Sequence, residues 1–98
     1  MSEFDYQQLD DLIHSRIRLA IMALLISVVE ADFVFLKEKV NATDGNLSVH
    51  LKKLEDAGYI NVKKEFINRK PRTMYSLSKI GRKAFEAYLD NLEKMIKK

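Results

Sequence analysis

The stretch Thr43–Gly58, with the sequence TDGNLSVHLKKLEDAG, contains the start and stop signals of one helix. The hydroxyl of Thr43 can accept a hydrogen bond from a free N–H group of the first turn, so Thr43 is an N-cap candidate. Asp44 would place a negative charge at the positive end of the helix dipole. Gly58 can adopt the left-handed conformation that ends a helix. The stretch therefore predicts a helix over about residues 44–57.

This helix is amphipathic. At about 100° per residue, Leu47, Leu51 and Leu54 fall within a narrow arc and should face a core. A helix whose opposite side is free can enter the major groove of DNA, where its first turns reach base edges and later ones reach phosphates. The same pattern also fits a helix that is merely exposed to solvent. The predicted DNA-contact residues of this helix are Asn46, Ser48, Val49, Lys52 and Lys53.

Two helices are predicted before this one. Phe33, Leu36 and Val40 have helical spacing, and the turn at residues 41–44 joins their helix to the next, as in a helix-turn-helix. Ser15 can cap an earlier helix that runs to Val29 and is apolar on nearly all sides. Residues 4–13 suggest a short amphipathic helix ahead of it.

Two strands follow Gly58. Residues 59–64 and 73–77 alternate apolar and polar side chains, which is typical of strands. The connection, residues 65–71, is too long and too charged for a two-residue turn, so we expect it to project as a basic loop. Its cations could contact the DNA backbone or enter a minor groove. The predicted wing spans about residues 63–73, and its cations are Lys63, Lys64, Arg69, Lys70 and Arg72.

A last helix, capped by Ser78, is predicted to run to about Lys97. Its apolar stripe continues beyond what a small core needs, so its far end must be covered by the N-terminal segment, from the same chain or from a twin. We therefore predict a homodimer in which residues 1–14 and 85–98 are the dimerisation flanks. The predicted dimer residues are Phe4, Leu9, Ile13, Tyr88, Leu89, Leu92, Met95 and Ile96.

Length and charge agree with this arrangement. The 98 residues fit one domain, predicted as mainly α with a small β-hairpin, an α+β fold. The net charge is only +3, but residues 45–83 hold ten bases against three acids. A polyanion would therefore bind the middle of the chain. Arg16 opposes the dipole of its helix, a conflict that a bound phosphate would relieve, so it joins the predicted contacts.

Several function classes find no support. There is no cysteine, the two histidines lack metal-ligand neighbours at suitable spacing, and the three glycines form no phosphate loop. We expect no enzymatic activity, no metal or other cofactor, and a reducing cytoplasmic location. The apolar run at residues 20–26 is too short to span a bilayer, so no membrane association is predicted.

The chain resembles the winged-helix transcriptional regulators of the MarR and ArsR type. The resemblance rests on NLSVHL at residues 46–51, LE at 54–55, AGYI at 57–60, RKPRT at 69–73, YSLS at 75–78 and Gly81. It implies a two-fold dimer that binds an operator, with Ser48 and its neighbours and Arg72 among the contacts. Metal sensing is not implied, because cysteine ligands are missing. The short flanking helices do not support a small-molecule effector pocket.

Two alternatives stay open on the residues alone. Winged helices also serve as protein-interaction modules, and fold by itself does not settle function. RNA binding ranks lower because no pair of exposed aromatic residues is predicted on a sheet. Asp44, at the start of the predicted recognition helix, would face approaching phosphates and weaken contact with DNA.

Overall fold

The structure, a computed structural model, describes residues 6–97. They form the predicted α+β fold, with four α-helices and a small antiparallel sheet of three strands in the order β1-β3-β2. Strand β1 is only two residues long and was not predicted. The elements are a 3-10 turn Tyr6–Gln8, α1 Arg16–Ile26, β1 Ala31–Asp32, α2 Phe33–Val40, α3 Asp44–Asp56, β2 Ile60–Ile67, β3 Lys70–Leu77 and α4 Lys79–Ile96.

Every one of these α-helices begins at a capping side chain. The predicted caps Ser15, Thr43 and Ser78 accept hydrogen bonds from the backbone N–H groups three residues ahead of them, as does Asp32 at the start of α2. These bonds satisfy N–H groups that have no partner within the helix. Gly58, with φ of 80°, adopts the left-handed conformation expected after α3.

Two helix boundaries differ from the prediction. Helix α1 ends at Ile26 rather than Val29, and the Ser27 hydroxyl donates to the carbonyl of Leu24. Such local side-chain bonds compete with continued helix. The predicted N-terminal amphipathic helix is also wrong over the described residues, because Asp10 accepts hydrogen bonds from the N–H groups of Leu12 and Ile13 and closes a turn there.

The predicted basic loop between the strands is wrong as well. Strands β2 and β3 pair as far as Ile67 and Lys70, leaving a two-residue turn, Asn68-Arg69. Both turn residues have positive φ, 53° and 66°, as a type I′ hairpin turn requires. The charged residues could extend as strands because these hairpin arms project beyond the core and both faces meet solvent.

The core lies between α1, α2, α3 and α4. Its fully buried side chains include Ile21, Met22 and Leu25 of α1 and Leu36 of α2. Helix α3 contributes its three predicted leucines, and α4 contributes Phe85 and Tyr88. Within residues 6–97, no helix combines the length and apolarity that crossing a membrane demands.

A short junction joins the end of α3 to the start of α4. The N–H of Ser78 donates to the carbonyl of Tyr59 at 3.0 Å, and the Ser78 hydroxyl donates to the carbonyl of Gly58 at 2.5 Å. Gly81, in the first turn of α4, lies against the Tyr59 backbone so closely that a Cβ atom would be 2.0 Å from its oxygen. The junction therefore connects the C-terminal end of α3 directly to the first turn of α4.

Candidate nucleic-acid interface

Helix α3 has one side in the core and one side free. Leu47, Leu51 and Leu54 are buried, which fixes the rotation of the helix about its axis. All five residues of this helix that are predicted to contact DNA are exposed. Among them, the apolar side chain of Val49 is 53% exposed. An apolar residue held in solvent beside polar and cationic ones is suited to contact a thymine methyl group.

A groove of about 360 Å³ separates α3 from the hairpin. Ser48 and Lys52 of α3 form one wall, and Lys64 and Thr73 of the two strands form the other. Tyr75 lies at the base, where desolvation, and then the negative charge of Glu55, raise the pKa of its hydroxyl. The phenol is therefore neutral at physiological pH, so it adds no negative charge to this groove.

The hairpin has two chemically different faces. Residues that oppose each other in the register share a face of the sheet. The inner face, which lines the groove at its base, comprises Val62, Lys64, Phe66, Pro71, Thr73 and Tyr75. The outer face comprises Lys63, Glu65, Ile67, Lys70, Arg72 and Met74. The cations predicted to act as one basic cluster are therefore divided between two faces.

Two cations of the outer face have acidic neighbours. Lys63 Nζ lies 3.6 Å from a carboxylate oxygen of Glu30 and 3.6 Å from one of Glu65. Arg72 Nε lies 3.8 Å from a carboxylate oxygen of Asp32. Such exposed pairs contribute about 0–1 kcal/mol each, so a phosphate could compete for either cation.

The remaining cations of the hairpin form no ion pair with any residue that the structure describes. These are Lys64 on the inner face, Arg69 at the turn and Lys70 at the start of β3, and all three are exposed. Lys64 lies on strand β2, and Arg69 and Lys70 lie at the tip of the hairpin. The unpaired positive charge of the wing is therefore divided between the groove beside α3, at Lys64, and the tip of the hairpin, at Arg69 and Lys70.

On α3, two acidic residues are paired with lysines. Lys52 Nζ lies 3.0 Å from Asp56, and this hydrogen bond, followed by the charges of Asp56 and Glu55, raises the pKa of Lys52. Asp44 lies 2.7 Å from Lys37 Nζ of α2. The negative charge of Asp44 is thus offset by a neighbouring cation, which reduces the repulsion of phosphates expected from the sequence.

The structure also reveals a contact that the sequence did not predict. Arg18 Nη1 of α1 donates to Nδ1 of His50 on α3 at 2.7 Å, and Arg18 Nε donates to the carbonyl of Leu12. Burial, then the charges of Arg18 and Lys53, lower the pKa of His50, so the neutral ring is favoured. The first turn of α1, with the exposed Arg16, is therefore tied to the middle of α3.

The residues predicted for dimerisation divide into two groups. Leu9, Ile13 and Tyr88 are buried within the same chain, and the Tyr88 hydroxyl is hydrogen-bonded to Nδ1 of His14 at 2.8 Å. Leu92 and Met95 are half-buried. The residues that face solvent are Leu89, 45% exposed, and Ile96, 74% exposed; Phe4 lies outside the described residues.

No group of three metal-ligating side chains occurs among the residues that the structure describes. The two histidines are both engaged in side-chain hydrogen bonds, His14 with Tyr88 and His50 with Arg18. The geometry therefore centres on a free helix face and a cationic hairpin rather than on a cluster of reactive groups.

Comparison with known proteins agrees with this geometry. The protein MJ0432 of Methanocaldococcus jannaschii is 43% identical over 76 residues, 78% of this chain and 83% of that protein. A transcriptional regulator homologue from Pyrococcus horikoshii has a TM-score of 0.81 at 28% identity, covering 87% of this chain and 84% of that chain.

A MarR-family transcriptional regulator from Silicibacter pomeroyi shares the fold, with a TM-score of 0.66 at 18% identity over 86% of this chain and 56% of that chain. The resemblance to winged helix-turn-helix regulators is thus confirmed. Residues 17–96 match the winged helix DNA-binding domain, and the chain belongs to that family.

Proposed function

We propose that this protein is a sequence-specific double-stranded DNA-binding transcriptional regulator that acts as a homodimer and catalyses no reaction. The observation that carries the proposal is the free side of α3, held beside a hairpin whose cations Lys64, Arg69 and Lys70 form no ion pair with any described residue. A duplex is the polyanion that matches both features, since it offers base edges in a groove and phosphates along its rims.

In this proposal α3 enters the major groove. Asn46, Ser48 and Val49 contact base edges, because they lie in the first turns of the helix, while Lys52 and Lys53 contact phosphates. Arg16, tied to α3 through its neighbour Arg18, contacts the backbone beside the helix. The proposed wing contacts are Arg69, Lys70 and Arg72, on the backbone or in the minor groove.

The homodimer is supported by the C-terminal half of α4, where Leu89 and Ile96 face solvent beside the half-buried Leu92 and Met95. A second copy would cover these residues through the same surface on each chain. Two recognition helices would then lie about 34–36 Å apart, one turn of DNA. We propose no small-molecule effector for this protein. We propose a cytoplasmic location.

The test is selection of bound duplexes from a random pool, followed by titration of the recovered duplex at increasing salt. We expect log K to fall linearly with log salt, with a slope of about −0.9 per phosphate contacted. Lys53→Ala and Arg69→Ala should each reduce that slope by about 1. Lys94→Ala, an exposed lysine near the end of α4, is the matched control and should leave it unchanged.

A protein-interaction module would give a different result. Such a protein would enrich no sequence from the pool, and any weak binding would be equal for all duplexes. This outcome would overturn the proposal, because a winged helix that recognises protein has no reason to discriminate between base sequences.

A further inference from the structure

The hairpin exposes one large apolar side chain near its tip. Phe66 is 76% exposed, although its ring is apolar and a hydrophobic core is available in the same chain. It lies on the inner face, opposite Pro71, and the two residues border a recess that Lys64, Glu65, Arg72 and Thr73 also line. The ring therefore extends the surface that lines the groove beside α3.

The position of Phe66 along the strand defines what it could meet. Val62, at the base of the groove, lies four residues earlier, and strands rise about 3.3 Å per residue, so Phe66 lies about 13 Å further along the hairpin toward its tip. The major groove is about 12 Å wide. When α3 occupies the middle of that groove, Phe66 lies beyond the bordering phosphate strand, beside the neighbouring minor groove.

The charges around the ring indicate the chemistry of its partner. Lys64 lies on the same face and Arg69 at the turn, while Lys70, Arg72 and Glu65 belong to the outer face. Arg72 and Glu65 also border the recess beside the ring, and Glu65 lies near Lys63, so cations outnumber the one acid around Phe66. A partner with negative charge at its rims and apolar surface between them fits this arrangement. The minor groove has phosphates on both sides and sugar and base edges between them.

We propose that Phe66 is a DNA-contact residue of the wing, its ring lying in the minor groove against deoxyribose and base edges while Lys64 and Arg69 contact the flanking phosphates. This inference rests on the proposed function. Other minor-groove proteins also place apolar side chains in this groove, where they insert between base steps. The contact adds affinity that does not depend on counterion release, unlike the contribution of the cations.

The test compares Phe66→Ala with Arg69→Ala on the selected duplex across a range of salt. Phe66→Ala should weaken binding about tenfold at every salt concentration and leave the salt slope unchanged, because no phosphate contact is lost. Arg69→Ala should reduce the slope by about 1. Val29→Ala, which removes another highly exposed apolar side chain (90% exposed) beside the base of the hairpin rather than its tip, is the control and should bind like the wild type.

Hydroxyl-radical footprinting locates the contact, since these radicals cleave from the minor groove. We expect the wild type to protect a minor-groove segment beside the half-site, and Phe66→Ala to lose that protection alone. Unchanged affinity and footprint in Phe66→Ala, with the expected slope change in Arg69→Ala, would overturn this inference and leave the proposed function standing. A change in oligomeric state on sedimentation would assign Phe66 to the dimer instead, and a wild type that binds no duplex would overturn both.

Discussion

The first turns of α3 and α4 are built alike but have opposite surroundings. Each begins at a hydroxyl cap, Thr43 or Ser78, and each contains a glycine. A Cβ atom at Gly81 would overlap the carbonyl of Tyr59, whereas a Cβ at Gly45 would meet nothing within 4 Å. Gly81 of α4 is thus required by close packing against the Tyr59 backbone within the chain. The glycine of α3 leaves room on the solvent side, where a duplex would approach.

The difference continues along the two helices. Helix α3 leaves polar and cationic side chains exposed, while the far half of α4 leaves Leu89 and Ile96 exposed. Cationic exposure suits a polyanion, and apolar exposure suits another protein surface. The exposed surfaces of the two helices therefore favour two different partners, a polyanion for α3 and another protein surface for α4.

The largest effect is expected for Gly81→Ala. Its new methyl group must displace the Tyr59 backbone, so the free energy of unfolding should fall by about 3 kcal/mol, the upper end of the usual overpacking penalty. Urea denaturation followed by circular dichroism measures this. Wild-type stability in Gly81→Ala would mean that the junction between α3 and α4 is looser than described.

Leu92→Asp should weaken DNA binding about 100-fold, because a monomer loses the gain of engaging two half-sites at once. Sedimentation should show a shift from dimer to monomer. Since Leu92 is half-buried in its own chain, Ile96→Asp, at a position 74% exposed, separates dimerisation from folding and should cause the same shift. A dimer that persists in both variants would refute the role given to α4.

Gly45→Ala should separate stability from binding. Replacing a helical glycine in open space with alanine should raise the free energy of unfolding by about 0.5–1 kcal/mol. If the space above Gly45 is where DNA approaches, affinity for the selected duplex should fall at the same time, by a fewfold. A variant that is both more stable and equally tight in binding would show that this space is not used.

The smallest effect concerns His50. The pKa of His50 is lowered in the folded protein, so below pH 6.5 the unfolded chain binds a proton at this ring more readily than the folded chain does. Stability from this group should therefore decline as pH falls through 6.5, and level off below the folded-state pKa. Urea denaturation at several pH values should show the advantage of wild type over His50→Gln shrinking toward acid, and parallel curves would contradict the lowered pKa of His50.

Local signals accounted for the features that the sequence predicted correctly. The caps of α1, α3 and α4 and the stop at Gly58 depend on residues within one turn of each other, so they can be recognised without tertiary information. The core side of α3 follows from the spacing of Leu47, Leu51 and Leu54, and its exposed residues follow by elimination.

The features that were missed depend on distant residues or on rare conformations. The turn at Asn68-Arg69 lacks the glycine that normally marks a two-residue hairpin, and arginine seldom adopts the left-handed conformation that this turn requires. The sequence therefore carries no local signal for the turn. The strand register then decided which cations share a face with Phe66. Whether Ile13 packs in its own chain or in a twin was open at the sequence level, and its complete burial shows that it packs in its own chain.

The Gly58–Ser78 junction has a consequence for operator architecture. Because two hydrogen bonds tie the end of α3 to the start of α4, a dimer joined through α4 would hold its two recognition helices as one rigid unit. Such a unit could not follow a half-site that rotates away from it. Inserting about five base pairs between half-sites turns one of them to the far side of the duplex, so the spacer length of the operator should be nearly invariant.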